Sequence, residues 1–172
     1  MYNFGNTPLN AEVGYLDWLG KDKVRLLETL DSWDVNPVEQ KLIQSGHSTA
    51  SNVKNHILWY KQFMSFKVIR PNIPCGMFSD IIDGVWHQHI LFTEDYAKFS
   101  DALLGKFIHH IPCNIMDMSP EALDEYGIWI SDYEQVFTYR KIWQRNLKTI
   151  LKVTSVIIMF MLMRTHISVD SL

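Results

Sequence analysis

A chain of 172 residues, 47% hydrophobic and 20% charged, is long and apolar enough to close one core without disulfides or metal. Those proportions exclude a disordered chain. A net charge of −3 and a pI near 6.1 exclude an electrostatic footprint for nucleic acid, so no nucleic-acid partner is expected.

Helical patterns then follow one another along the chain. Over 12–19 and 22–33 the apolar residues Leu16, Leu19, Leu26, Leu27, Leu30 and Trp33 recur at helical spacing. Asn36-Pro37-Val38-Glu39 is a helix start, with Asn36 as expected cap and Gly46 as stop. Ser51 is the expected cap of the next helix, where Val53, Ile57, Tyr60 and Met64 form one face and Trp59, Phe63 and Phe66 widen it. Pro71 and Pro74 enforce an irregular link, because proline lacks the amide donor and disfavours helix in the residue before it.

Ser79 can cap a helix through about Phe92. Thr93-Glu94-Asp95 reads as a fresh start or a bend, with helix on to Leu104 and a stop at Gly105. Phe107 to Cys113 reads as an extended or turn segment held by Pro112. Ser119-Pro120-Glu121-Ala122 opens a last core helix to about Tyr139, with Gly127 as its weak point. No period-two alternation with hairpin turns appears. The expectation is an all-α, irregular bundle of about six helices, divided as an N-terminal helical segment (1–35), a core (36–143) and a tail (144–172).

Four of the seven histidines fall between His87 and His110. On a helix over 79–92, His87 lies one turn from Asp83 and two from Asp80, with Glu94 continuing the stripe. His89 falls instead with Ile82, Val85 and Trp86 on the apolar face and is expected to pack inward. Imidazole and carboxylate are ligands for zinc or another divalent ion. Asp83, His87, His109 and His110 are therefore the candidate ligands, with His109 and His110 delivered by the following loop. The competing expectation is a purely structural polar network of the same residues. The spacing has neither the specificity of HExxH nor an evident catalytic Glu between ligands.

Other chemistries lack support. GxGxxG, GxxxxGK[ST] and GxSxG are absent, which removes phosphate loops and nucleophile elbows. Cys113 lies three residues from His110, but a lone cysteine more often packs as a small hydrophobe. Cys75 and Cys113 form no CxxC pair, and residues 1–10 have neither the basic nor the apolar part of a secretory leader. A reducing, cytoplasmic setting is expected.

The string Asp83-x-x-Trp86-His87-x-x-Ile90-Leu91-x-Thr93-x-x-Tyr96-x-x-Phe99, then Gly105-x-Phe107-Ile108-His109-His110-x-Pro112, resembles the glycine-rich-domain-containing-protein-like family. It looks like a stand-alone bacterial-type member, since the glycine-rich segments of larger eukaryotic relatives are absent. Tyr60-Lys61-Gln62-Phe63 fits the same pattern, and the resemblance covers roughly 53–143. It implies that Asp83, Trp86, His87, His109, His110 and Pro112 belong to a signature, and it carries no activity. His89, Tyr96, Phe99 and Gly105 are expected as structural members of the same stretch. Relatives often place a cysteine where this chain has Ser100; if that cysteine serves as a ligand, Ser100 weakens the case for metal here.

From the end of the core into the tail, Lys141, Arg145, Lys148 and Lys152 form one helical stripe, followed by the apolar run Val153 to Met163. A basic amphipathic helix of this kind can bind a protein partner or an anionic membrane surface. Eleven residues at helical rise reach only about 16 Å, roughly half a bilayer's hydrocarbon thickness. A buried or self-associating terminal helix is therefore the favoured expectation, and peripheral membrane attachment the lesser one.

Overall fold

The computed structural model describes residues 7–11, 13–70, 77–111 and 118–137, all within the first of the chain's two units, Met1–Thr138. These residues contain no strand. A short 3-10 turn, Pro8–Asn10, precedes seven α-helices: α1 Val13–Leu19, α2 Lys21–Ser32, α3 Asn36–Gln44, α4 Val53–Ile69, α5 Asp80–Ile90, α6 Thr93–Leu104 and α7 Pro120–Phe137. The fold is all-α, as the periodicity predicts. One helix more than about six appears because the chain breaks between α5 and α6, where Phe92 leaves helical geometry (φ −85°, ψ 63°). The Pro71–Pro74 link, Cys75, Pro112, Cys113, Lys141, Arg145, Lys148, Lys152 and the 153–163 run lie outside the described residues.

Local chemistry sets most boundaries. The Ser79 hydroxyl accepts from the Ile82 amide at 3.4 Å and opens α5, while Ser119 accepts from Ala122 at 3.2 Å and opens α7. Gly105 ends α6 at φ +64°, a left-handed conformation that glycine adopts without a Cβ penalty. Two expected caps are corrected. Asn36 is the first residue of α3, and its amide donates to the Asp34 carboxylate at 2.9 Å, so Asp34 does the capping from two residues upstream. Ser51 bonds Thr49 at 2.9 Å, and the Asn52 and Val53 amides close onto the Thr49 carbonyl instead.

Helix α4 is the axis of the bundle. Tyr60 through Phe66 are buried without interruption, so α4 has no solvent face over two turns. Helices α2, α3, α5 and α6 all pack on it. Its aromatic edge meets α7, with Trp129 edge-on to Phe63 at 5.7 Å and to Phe66 at 5.4 Å, and Arg70 pairs with Asp132. The buried Gln62 holds the N-terminal turn by donating to the Leu9 carbonyl at 2.9 Å. Lys61 is 7% exposed and donates to the carbonyls of Asp31 and Trp33 at 2.7 and 2.8 Å, capping the end of α2 with a cation. Burial lowers the Lys61 pKa, against the raising influence of Asp31 and Asp34. Among the described residues no helix is long and apolar enough to cross a membrane.

Gly127 sits exposed inside α7, and nothing lies within 4 Å of the position a Cβ would take. Gly127→Ala should stabilise the protein by about 1 kcal/mol, the difference in helix propensity between the two residues. A urea midpoint that does not rise would show that this turn of α7 contributes nothing to the cooperative unit.

Candidate functional site

Helix α5 carries two histidines two residues apart, which places them on nearly opposite faces. The consequences differ sharply. The His87 side chain is 56% exposed, whereas that of His89 is 0% exposed.

On the outer face, Asp83 receives both partners of a small cluster. Its Oδ1 accepts from His110 Nε2 at 2.8 Å, and its Oδ2 lies 3.5 Å from His87 Nδ1, an ion-pair distance rather than a good hydrogen bond. The two imidazole rings lie 4.6 Å apart, and the Trp86 ring flanks His110 at 4.3 Å. Each of Asp83, His87 and His110 offers one ligand atom, all within 4.8 Å of one another. His109 is elsewhere: it is exposed, with its ring against Phe107 at 5.1 Å. Alternation along the extended segment points the two histidines apart, and only His110 turns toward α5. Asp80 is exposed, and Glu94 pairs with Lys98 at 2.7 Å instead of extending the His87 stripe. The Lys67 ammonium lies 5.8 Å from the centre of the Trp86 ring.

Beneath this cluster, one hydroxyl joins three pieces of chain. Trp86 Nε1 donates to the Tyr96 oxygen at 2.7 Å, and the Tyr96 hydroxyl donates to the Ile108 carbonyl at 2.7 Å. Phe99 packs edge-on to His89 at 4.8 Å, within the same aromatic layer.

The inner face holds a network that sequence reasoning missed. His89 is buried as expected, but its partners are polar as well as apolar. Tyr60 donates its hydroxyl to His89 Nδ1 at 2.7 Å, and His89 Nε2 donates to Asp95 Oδ2 at 2.9 Å. Trp33 Nε1 reaches the same carboxylate oxygen at a longer 3.4 Å. This pattern assigns the neutral Nε2–H tautomer to His89. Burial lowers the His89 pKa and outweighs the raising influence of Asp95, while burial drives the Tyr60 pKa well above 10.0, so the phenol stays a donor. Asp95 was visible in the sequence only as a residue in the first turn of α6. Nothing in the spacing tied it to Tyr60 or Trp33.

A family model described as UCP032817-like matches residues 25–131, more than half of the chain. The chain belongs to the UCP032817-like family. The matched span contains both faces of α5 and every residue of the two networks. No curated protein and no solved structure matches the chain.

Two outcomes follow from the inner network. Tyr60→Phe leaves the buried His89 Nδ1 without its donor and should cost about 1–3 kcal/mol in chemical denaturation. A loss below about 0.5 kcal/mol would mean that water replaces the hydroxyl. The pH dependence has a definite sign. His89 and His56 both have pKa values lowered by burial, so between the folded and unfolded values the unfolded chain binds more protons. Their contribution is complete above the unfolded value near 6.5 and is lost as pH falls below it. Urea midpoints should therefore drop between pH 7.5 and 5.5. A rise over that interval contradicts the neutral assignment.

Proposed function

We propose that Asp83, His87 and His110 bind a divalent transition-metal ion, zinc foremost, in a small helical domain. The observation that carries this reading is the convergence of one carboxylate and two imidazoles to within 4.8 Å. Around a tetrahedral zinc with bonds of about 2.0–2.1 Å, neighbouring donors stand about 3.4 Å apart, so the 2.8 Å His110–Asp83 pair opens slightly while the wider separations, up to 4.8 Å, close in. The cation replaces the proton of the His110 Nε2–Asp83 Oδ1 hydrogen bond. Two nitrogens and one oxygen suit a borderline ion better than calcium or magnesium, which prefer oxygen alone. Three protein donors leave at least one coordination position for water or an exogenous ligand, as catalytic zinc sites do.

A second reading has its own support. The 2.8 Å His110–Asp83 bond and the Trp86 contact join residues 107–111 to α5 with no ion required between them. The domain is then an interaction module, and the basic and apolar tail binds a protein partner or a membrane surface. Kinship with the glycine-rich-domain-containing-protein-like family belongs to the proposal too, supported by the Asp83–Phe99 and Gly105–Pro112 strings. A reducing, cytoplasmic compartment is supported by two cysteines with no disulfide or CxxC pattern.

The test is calorimetric titration of zinc into untagged protein stripped with chelator. Wild type should bind about one ion per chain. His87→Ala, His110→Ala and Asp83→Ala should each weaken binding at least tenfold, with His109→Ala unchanged. Binding should weaken at lower pH, because protons compete with the metal for its donors. Wild type that binds zinc no better than the His87→Ala/His110→Ala double variant would leave the interaction module standing.

A further inference from the structure

Residues 107–111 bring His110 to α5, yet among the described residues they make no backbone–backbone hydrogen bond to any helix. Side chains hold them instead. Ile108 is buried, Phe107 leans on the Tyr96 ring at 5.2 Å, and the Ile108 carbonyl accepts from the Tyr96 hydroxyl at 2.7 Å. That hydroxyl also accepts from Trp86 Nε1 at 2.7 Å. A phenol has one proton to give and lone pairs to receive, and both capacities are used here across three pieces of chain. Trp86 sits beside His87 in α5 and flanks His110 with its ring, while Ile108 lies two residues before His110.

We infer that Tyr96 is the positioning residue for His110, a two-ended clamp that fixes the segment's register on α5 so that the imidazole faces Asp83. As a statement about metal affinity, this rests on the metal reading of Asp83, His87 and His110. As a statement about where His110 sits, it rests on the hydrogen bonds alone. The side chain of Tyr96 touches neither a metal position nor a reacting atom. It acts through the backbone at Ile108 and through the Trp86 indole. Tyr96→Phe keeps the ring and its packing against His89 and Phe99 (5.1 and 6.0 Å). It leaves two buried polar groups, the Trp86 N–H and the Ile108 carbonyl, without a partner. Both then gain by moving toward water, which draws residues 107–111 off α5.

Two measurements on the full chain separate the inference from the reading beneath it. In metal-free protein, the His110 ring protons feel the Trp86 ring current. In Tyr96→Phe their resonances should move toward free-histidine values. Cobalt titration, followed by its visible absorption, should show affinity ten- to a hundredfold weaker in Tyr96→Phe. Leu27→Ala, which loosens the core from α2, should stay within twofold of wild type, so general destabilisation is not what is read. If Tyr96→Phe alone is too unstable to handle, the same variant in the Gly127→Ala background is measured. Unmoved His110 resonances overturn the clamp whether or not the wild type binds cobalt. Moved resonances with unchanged affinity overturn its bearing on the metal. Wild type that binds no cobalt sinks the metal reading and leaves the resonances to decide the clamp.

Discussion

Everything in the described bundle depends on α4 being surrounded. A helix buried from Tyr60 to Phe66 has no side on which to discharge polar groups into water, yet it carries Lys61, Gln62 and Ser65 in that stretch. Each has a partner inside, and those of Tyr60, Lys61 and Gln62 lie on neighbouring pieces of chain, although Gln62 Oε1 has none. Lys61 meets the last carbonyls of α2, Gln62 meets the N-terminal turn, Ser65 turns back on its own helix at the Gln62 carbonyl, and the Tyr60 phenol meets α5. Apolar burial supplies the bulk of the stabilisation, but it is indifferent to register. The buried polar atoms supply the register, because a slip by one residue would leave several of them unpaired at about 1–3 kcal/mol each.

Helix α5 passes that constraint outward. Its inner face is locked through His89 to α4 and, through Asp95, to the start of α6. Its outer face presents Asp83 and His87 to the segment after α6. Tyr96 belongs to both, since its ring packs in the buried layer while its hydroxyl tethers Ile108. The outer cluster is thus aimed by a helix whose inner face is tied to α4 and α6. The two histidines of Trp86-His87-Gln88-His89 do different jobs because a helix turns about 200° between them.

The sequence revealed what depends on near neighbours. Ser79, Ser119, Gly46 and Gly105 mark helix ends through bonds and torsions within a few residues, and the opposite fates of His87 and His89 follow from helical geometry. Asn36 misled because Asp34, two residues before it, is an equally good acceptor, and spacing alone does not rank them. What stayed hidden depends on contacts far along the chain. His110 meets Asp83 across 27 residues, Tyr60 meets His89 across 29, and Trp33 meets Asp95 across 62. No periodicity encodes those separations. His109 and His110 looked equivalent because the aim of an extended segment is set by what it docks on, here Ile108 in the core and Tyr96 beneath it.

The arrangement around Asp83 has a consequence for when order is established. Its two carboxylate oxygens already face the two imidazoles, so the entropy of gathering these side chains is lost during folding. Domains whose chain collapses only around an ion are unfolded without it, and chelation unravels them. Here the bundle closes on aromatic and aliphatic contacts that lie elsewhere. On the metal reading, a cation held between Asp83, His87 and His110 would enter and leave with the bundle intact.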